Sequence, residues 1–260
     1  MSVDPNRPSA ARIYDCLLGG THNFAVDREV AERAVALVPD LPRVAGDNRA
    51  FLRRAVRLAA ARGVHQFVDV GSGIPTEGNV HEAARAADPG ARVVYVDIDP
   101  TAVIHSRQIL GADPLTVVLQ ADLHQADRIL DDPAVRALVD FDRPVCLLLV
   151  AMLHFIPDSA DLHAALRRYR DAAAPGSLLA ITHGTAGSRT EQLEALADLY
   201  VRTGTPLVLR DHDAILDLFD GWDLLDPGLV HLPRWRPDPG DPPVGDPAAY
   251  AGLGAVGVRA

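Results

Sequence analysis

Lysine is absent from this 260-residue sequence, so all 25 basic residues are arginines, and the formal net charge is −10. General nucleic-acid-binding proteins present a basic face to the phosphates, so this charge balance argues against a nucleic-acid partner. Cysteine is scarce as well. Cys16 and Cys146 are too few for a disulfide framework, and they show no metal-ligand spacing. The histidines stand singly along the chain, and we therefore expect no metal site.

Long hydrophobic runs are also missing. The longest, Val145–Leu153, is too short to cross a bilayer. The opening residues, Met1–Ala10, lack the apolar core of a signal peptide. We therefore expect no membrane partner and a cytoplasmic location. The hydrophobic fraction of 48% and the charged fraction of 23% are ordinary for a packed α/β protein.

The most informative stretch is an apolar strand that leads into a glycine turn. Phe67–Val70 predicts a buried strand, Gly71 and Gly73 follow at once, and a helix is predicted to continue through Val80–Ala87 with Thr76 as its N-cap. The two glycines permit positive φ angles and let a ligand approach the bare backbone. The amide groups at the start of the helix favour an electron-rich ligand atom, such as a carboxylate oxygen.

Acidic residues follow the next two predicted strands. The strand Arg92–Val96 leads into Asp97, and the strand Leu115–Gln120 leads into Asp122. Such acids converge on the crevice where open parallel sheets bind ligands. One carboxylate suits a ribose diol and the other an adenine amino group, so the pattern predicts a nucleoside-bearing ligand. A dinucleotide fingerprint would place a third glycine where Pro75-Thr76 stands.

The alternation of strands and helices predicts an α/β fold. We expect a Rossmann-like sheet of about seven strands, mostly parallel, with helices on both faces and a terminal antiparallel hairpin. The strand Val145–Val150 is the most apolar and belongs at the centre of the sheet. The segment after it, Ala151–Pro157, should face the ligand.

We divide the chain into a flexible tail, residues 1–10, and a single domain, residues 11–260. Within that domain, residues 11–62 are predicted to form an N-terminal helical lid and residues 63–260 the core. The first helix ends at a glycine pair, which suits either a plain helix stop or a lid that turns Tyr14 or Asn23 towards a ligand. A later helix, Asp47–Ala61, carries arginines that we expect to form a solvent-exposed face: Arg49, Arg53, Arg54 and Arg57.

Four segments together carry a resemblance: Ala11–Phe24, Asn48–Val56, Gly71–Asn79 and Leu147–Pro157. They resemble an actinobacterial family, formerly catalogued as a domain of unknown function and now labelled S-adenosyl methyltransferase. That family lies within the class I S-adenosylmethionine-dependent methyltransferases. Its most specific parts here are Tyr-Asp-x-Leu-Leu-Gly-Gly and Leu-His-Phe-x-Pro. The chain departs from the family where Thr21-His22 replaces a frequent Lys-Asp and where Ile98 replaces a frequent Asn.

The resemblance implies S-adenosyl-L-methionine as the cofactor and a small molecule, such as a natural-product intermediate, as the methyl acceptor. It also implies a set of cofactor-binding residues. They are Gly71, Ser72 and Gly73 for the methionine part, Asp97 with Ile98 for the ribose, Asp122 and Leu123 for the adenine, Ala151 after the central strand, and Tyr14, Gly19, Gly20 and Asn23 closing the site.

His154 follows the central strand and is the candidate general base, with packing near the cofactor as the alternative. Two other functions fit the same fold. One is an NAD(P)-dependent oxidoreductase, which the missing third glycine and Asp122 disfavour. The other is a non-catalytic S-adenosylmethionine-binding or regulatory protein. The sequence sets no oligomeric state, since fold alone does not fix one.

Overall fold

The computed structural model describes residues 4–75, 78–185, 189–241 and 250–260. Strands within these ranges are β1 (Gln66–Val70), β2 (Arg92–Asp97), β3 (Thr116–Gln120), β4 (Cys146–Leu149), β5 (Leu178–Gly184), β6 (Asp223–Leu224), β7 (Val230–His231) and β8 (Gly252–Val258). Helices within them are α1 (Ala10–Leu17), α2 (Ala25–Leu37), α3 (Leu41–Ala61), α4 (Val80–Ala87), α5 (Pro100–Leu110), α6 (Ala126–Leu130), α7 (Pro133–Leu138), α8 (Ala160–Ala172), α9 (Thr190–Arg202) and α10 (His212–Leu216).

The strands form one mixed sheet in the order β3-β2-β1-β4-β5-β8-β6, and β7 also pairs with β8. The strands β1 to β5 run parallel, and β8 pairs antiparallel with β5. The carboxyl ends of the parallel strands therefore meet at one edge of the sheet. This confirms the predicted Rossmann-like fold with an antiparallel closing element.

Helices cover both faces of the sheet because its central strands are apolar on both sides. In β4, Leu147 and Leu149 pack into the core formed with α6 and α8. The alternate residues Cys146 and Leu148 pack into the core formed with α3 and α4. The run of apolar residues that predicts a central strand thus supplies two cores, as a doubly covered parallel sheet requires.

The closing hairpin differs in detail from its prediction. Its first arm consists of two short strands, β6 and β7, which pair with opposite ends of β8. The turn at Asp226-Pro227-Gly228 separates them, because proline cannot donate to a sheet ladder. The sheet of the described residues therefore has eight strands instead of about seven.

The N-terminal helices form a third apolar cluster with α9. Ile13 of α1 and Val30 and Ala34 of α2 pack against Leu196 and Tyr200. Helix α3 begins at Leu41, six residues before the predicted start. Pro42 stands in its first turn, where a missing amide hydrogen costs nothing, so it does not break the helix.

The sequence prediction that Arg54 belongs to a solvent-exposed face of α3 is wrong. Its side chain is buried and donates from Nε to the Trp235 carbonyl oxygen (2.9 Å) and from a terminal nitrogen to the Leu232 carbonyl oxygen (2.8 Å). Burial lowers the pKa of Arg54. The helix thereby fixes the segment that leads to β8. Of the four arginines, only Arg57 is exposed.

One further sequence prediction concerns the start of α4. Thr76, the predicted N-cap, lies outside the described residues, and α4 begins at Val80 after Asn79. The amide of Asn79 donates to Glu82 Oε2 over 2.9 Å, which satisfies a backbone donor at the start of the helix.

No helix within the described ranges is long and apolar enough to cross a membrane.

Candidate active site

A cavity of about 690 Å³ lies at the carboxyl edge of the parallel strands. Its walls are the N-terminal segment with α1, one side of α3, the turns after β1, β2 and β3, the segment after β4, and the loop after α9. This volume is within the range of small-molecule sites. The predicted binding residues that line it are Tyr14, Gly71, Ser72, Gly73, Asp97, Ile98, Asp122, Leu123 and Ala151.

The two glycines after β1 meet different surroundings. A Cβ atom at Gly71 would lie 2.6 Å from Met152 Cβ, so this glycine is needed for the segment after β4 to pack against the turn. A Cβ atom at Gly73 would have nothing within 4 Å. Both residues have positive φ, 74° and 64°. Gly73 therefore presents bare backbone to the cavity, where a ligand can approach closely.

Asp97 holds the glycine turn next to the tip of β2. Its Oδ2 accepts a hydrogen bond from the Gly73 amide (2.7 Å), and its Oδ1 accepts one from the Asp99 amide (2.8 Å). Burial raises the pKa of Asp97 to about 6, against the effect of these hydrogen bonds. Each carboxylate oxygen retains a second lone pair for a ligand hydroxyl. Ile98 lies beside it on the cavity wall with 63% of its surface exposed.

Asp122 lies at the third strand tip and is paired with His124. Its Oδ1 accepts from the amide (2.9 Å) and lies 2.8 Å from Nδ1 of His124, which also lines the cavity. The neighbouring Leu123 is buried, and its carbonyl oxygen accepts from the Tyr169 hydroxyl (3.1 Å). The Tyr169 hydroxyl thus holds the loop that carries Asp122 at the cavity wall.

A chain of hydrogen bonds connects the segment after β4 to the N-terminal helices. Ala151 has a φ of 55°, which is strained for a non-glycine residue, and its amide donates to Thr182 Oγ1 (2.8 Å). Thr182 donates to Asn48 Oδ1 (2.6 Å), and Asn48 donates to the Tyr14 hydroxyl (2.8 Å). Tyr14 in turn donates to the Ala45 carbonyl oxygen (3.1 Å). Strained residues at such positions are associated with function.

A buried ion pair anchors helix α1 at the cavity. Arg12 Nε lies 2.7 Å from Asp27 Oδ2, and both side chains are almost fully buried. Arg12 also donates to Thr101 Oγ1 (3.1 Å) at the start of α5, and Ser9 Oγ donates to Asp99. Helix α1 and the residue before it are therefore tied to the segment that follows Asp97. These contacts also involve residues of the predicted flexible tail.

Sequence reasoning missed Arg12, Asn48 and two charged residues of the cavity wall, Arg49 and Asp69. Asp69 could have been identified from the sequence, because an acidic residue within an otherwise apolar central strand indicates a specific role for its side chain. Arg49 recurs at helical spacing with Arg53 and Arg57, so periodicity alone does not distinguish an arginine that lines the cavity from one that is exposed to solvent.

Gly19, Gly20 and Asn23 do not line the cavity. They form a turn around the buried Asp15, whose Oδ2 accepts from Asn23 Nδ2 (2.9 Å) and from the His22 amide (2.8 Å). A Cβ atom at Gly20 would lie 2.1 Å from Asp15 Oδ1, so the carboxylate requires glycine there. The turn closes helix α1, whose residues Ala10, Ala11, Arg12 and Tyr14 line the cavity.

His154 also does not line the cavity, although its neighbours Met152 and Phe155 do. Its ring packs edge-on against His183 with 5.6 Å between centroids, and its Nδ1 accepts a long hydrogen bond of 3.4 Å from the Gly184 amide. Burial, with His183 and Arg210 nearby, lowers the pKa of His154 to about 3. This placement favours the packing role over the role as general base.

Metal ligation has no cluster to support it in the described ranges, where no three histidine, cysteine, aspartate or glutamate side chains come together as ligands. The chemistry of the cavity is instead that of backbone amides, carboxylates and arginine. The acids Asp69, Asp97 and Asp122 lie in or just after three neighbouring strands, and all three line the same cavity.

A parallel sheet in the order β3-β2-β1-β4-β5 with an antiparallel closing strand, a glycine turn after β1 and acids after β2 and β3 defines a class I S-adenosylmethionine-dependent methyltransferase. The comparison with protein families identifies the particular group. The chain belongs to the S-adenosyl methyltransferase family, whose model matches residues 1–260. Its cofactor is therefore S-adenosyl-L-methionine, and the comparisons give the oxidoreductase alternative no support.

Solved structures agree with this assignment. A DUF574 family protein from Streptomyces avermitilis is 35% identical, with 100% of each chain covered and a TM-score of 0.94. A protein from Thermobifida fusca is 40% identical, with 98% of this chain and 96% of that chain covered and a TM-score of 0.90. An O-methyltransferase family protein from Burkholderia thailandensis, 16% identical over 98% of this chain and 65% of its own, shares the fold with a TM-score of 0.54. No curated protein matches the chain.

The cavity residues fit the cofactor that the family implies. Gly73 leaves open space at the strand tip where a ligand must approach the backbone. Asp97 lies on the adjacent tip as an acceptor for hydroxyl groups, and Arg49 has a buried Nε without a hydrogen-bond partner among the described residues. A ligand with a diol and an anionic group would satisfy both.

Proposed function

We propose that this methyltransferase acts on a small-molecule acceptor that binds in the same cavity as the cofactor. The supporting observation is the continuity of the cavity: one space of about 690 Å³ extends from the β2 and β3 tips to the segment after β4. At the β4 end its wall contains apolar side chains, including Met152, Phe155 and Ile156, which suit an apolar acceptor.

The same proposal assigns a binding role to the residues at the strand tips. Gly71, Ser72 and Gly73 border the methionine part of the cofactor, Asp97 with Ile98 the ribose, and Asp122 with Leu123 the adenine. Tyr14 and Ala151 close the space at the other end. The support is that all of them line one cavity at the carboxyl edge of the sheet, where such folds bind ligands.

Residues 11–62 act as a lid in this proposal, and residues 63–260 act as the core. Tyr14, Asn48 and Arg49 belong to the lid part and line the cavity together with core residues. The Asn48–Thr182 hydrogen bond joins the two parts. Gly19, Gly20 and Asn23 contribute by holding the end of α1 around Asp15.

The bound cofactor supplies an electrophilic methyl group on its sulfonium. The chain's own contribution is to hold an acceptor atom in line with that group and to exclude water. Alignment of two reactants lowers a barrier by roughly 7–11 kcal/mol in favourable intramolecular models. The rigid elements that provide it here are Met152, packed against Gly71, and Ala151, held by Thr182.

The test is a transfer assay in which purified protein, labelled S-adenosylmethionine and a panel of small apolar nucleophiles are incubated together. Formation of a methylated product and S-adenosylhomocysteine is expected for an acceptor that fits the β4 end. Cofactor binding without transfer to any acceptor would instead support the non-catalytic binding protein. The oxidoreductase alternative predicts saturable NADH binding in a fluorescence titration, and we expect none.

A further inference from the structure

The segment before α1, residues 4–9, spans two sides of the cavity that it lines. On one side the Ser9 hydroxyl donates to Asp99, at the start of α5. On the other side the Arg7 side chain lies against the loop after α9, since a Cβ atom at Gly204 would lie 3.0 Å from a terminal guanidinium nitrogen. The segment therefore bridges the β2 side of the cavity and the loop after α9.

The backbone of Arg7 is held in place, whereas its guanidinium is available to a ligand. The Arg7 carbonyl oxygen accepts a hydrogen bond from the buried Arg12 side chain, and the Arg7 amide donates to the Asp4 carbonyl oxygen (3.5 Å). Within the described ranges the exposed Arg7 guanidinium has no hydrogen bond or ion pair of its own. The Asp4 carboxylate accepts from the Asn6 amide instead (2.9 Å). Arg7 thus brings an unpaired positive charge to the cavity wall.

The other arginines that line the cavity have different surroundings. Arg12 forms the buried ion pair with Asp27, and Arg49 donates to Asn79 Oδ1 beside α4. The acids of β1 and of the turns after β2 and β3 line the part of the cavity that is proposed for the cofactor. Among the described arginines of the wall, Arg7 is therefore the one whose charge lies at the loop after α9.

An apolar wall adjoins Arg7. The Val208 amide donates to the His154 carbonyl oxygen over 2.7 Å, so the loop after α9 is joined to the segment after β4. The Phe155 ring also packs against Tyr200 of α9, with 5.6 Å between centroids. Apolar residues from these two segments line the cavity: Met152, Phe155, Ile156, Pro157 and Pro206. A molecule that fits there has an apolar body and a negative charge near one end.

We propose that Arg7 is a specificity-determining residue, which binds a carboxylate or similar anionic group on an otherwise apolar acceptor. This inference rests on the proposed binding of the acceptor in the same cavity as the cofactor. A guanidinium can donate two parallel hydrogen bonds to a carboxylate, which fixes the orientation of the bound group as well as its position. The apolar body then packs against the segments after β4 and α9, and acceptors without the anion bind less tightly.

Isothermal titration calorimetry on the full chain saturated with S-adenosylhomocysteine tests the proposal. The probes are 2-naphthoate, an apolar carboxylate, and 2-naphthamide, a neutral molecule of nearly the same shape. S-adenosylhomocysteine is chosen because its sulfur is uncharged, so a preference for the anion cannot come from a sulfonium. We expect the wild type to bind 2-naphthoate about threefold to tenfold more tightly than 2-naphthamide. Added salt should reduce this preference, because Arg7 is exposed.

Variants of Arg7 identify the source of the preference. Arg7→Gln should abolish it and bind 2-naphthamide as the wild type does. Arg7→Glu should reverse it, so that the neutral probe binds more tightly, and Arg7→Lys should retain part of it. Arg33→Gln removes the same charge from an exposed position on α2 outside the cavity wall, and this matched control should bind both probes as the wild type does.

Two outcomes would overturn the role of Arg7. One is equal affinity of the wild type for the two probes, and the other is a preference for 2-naphthoate that persists in Arg7→Glu. Failure of both probes to bind the protein saturated with S-adenosylhomocysteine would instead contradict the apolar acceptor site itself. The failure of the inference and the failure of the proposed function are therefore distinguishable.

Discussion

The Gly73 amide donates a 2.7 Å hydrogen bond to Asp97 Oδ2, across the tips of two neighbouring strands. This contact fixes the glycine turn and the acid relative to each other before any ligand arrives. It also places an acceptor next to the open space at Gly73. The proposed cofactor site therefore depends on a relationship between residues 24 positions apart in the sequence.

Replacement of Asp97 by alanine is the most direct test of the ribose assignment. We expect S-adenosylhomocysteine affinity to fall by about tenfold to hundredfold, because charge-assisted hydrogen bonds contribute about 1.5–3 kcal/mol. Calorimetry provides the measurement, and Asp122→Ala provides a comparison at the more exposed third strand tip. An Asp97→Ala protein that melts like the wild type and binds with unchanged affinity would remove Asp97 from the site.

Substitution at Thr182 tests the hydrogen-bond chain between Ala151 and Tyr14. Valine keeps the methyl group and the shape but leaves the Ala151 amide and Asn48 Oδ1 without partners. We expect Thr182→Val to lower the free energy of unfolding by about 1–3 kcal/mol, measured by urea titration.

Thr182→Ser is the matched control, since it keeps the hydroxyl and removes only the methyl group. It should retain the hydrogen bonds and bind S-adenosylhomocysteine nearly as well as the wild type does. A larger loss in the serine variant than in the valine variant would show that the methyl contact, and not the hydrogen-bond chain, matters at this position.

Buried carboxyl groups predict how the stability of the ligand-free protein depends on pH. The pKa of Asp69 is raised from 3.8 to about 7 in the folded protein, chiefly by burial. Between these values the folded state binds more protons than the unfolded state, so the free energy of unfolding falls as pH rises from about 4 to about 7. We therefore expect Asp69→Asn to melt at a higher temperature than the wild type at pH 8.

The difference between the two proteins should shrink at pH 4, where the wild-type carboxyl group is protonated in the folded state. Melting curves recorded from pH 4 to pH 8 provide the comparison. A constant difference in melting temperature across that range would contradict the raised pKa of Asp69.

His154 gives a kinetic prediction. Its pKa of about 3 and its place outside the cavity wall make it a poor proton acceptor near neutral pH. We expect His154→Gln to retain cofactor affinity and to lower kcat by less than about tenfold, since a lost general base costs about 10²–10⁴-fold. A loss of hundredfold or more, with a changed pH–rate profile, would restore the general-base hypothesis.

Local patterns predicted the sheet and the position of several residues at its strand tips. Apolar strands that end in glycine or acid are readable in sequence because strand, turn and acid are adjacent. Gly73, Asp97 and Asp122 line one cavity for this reason. The glycine pair Gly19-Gly20 likewise indicates a turn, but which side chain the turn surrounds depends on Asp15 and the fold around it.

Contacts between distant parts of the chain were not predictable in this way. Thr182 and Asn48 lie 134 residues apart, and Arg54 meets the Trp235 carbonyl oxygen 181 residues away. Helical periodicity places Arg54 on a polar face, yet the segment before β8 covers that face. Arg49 shares the same pattern and lines the cavity. Tertiary contacts decided the environment of each arginine.

A crystal structure of the protein with S-adenosylhomocysteine tests the central claim most directly. We expect the adenosyl group between Gly73, Asp97 and Asp122, with the ribose hydroxyls within hydrogen-bond distance of Asp97. The sulfur should point towards the segment after β4. Density for the ligand elsewhere on the chain, with this cavity containing only solvent, would contradict the account.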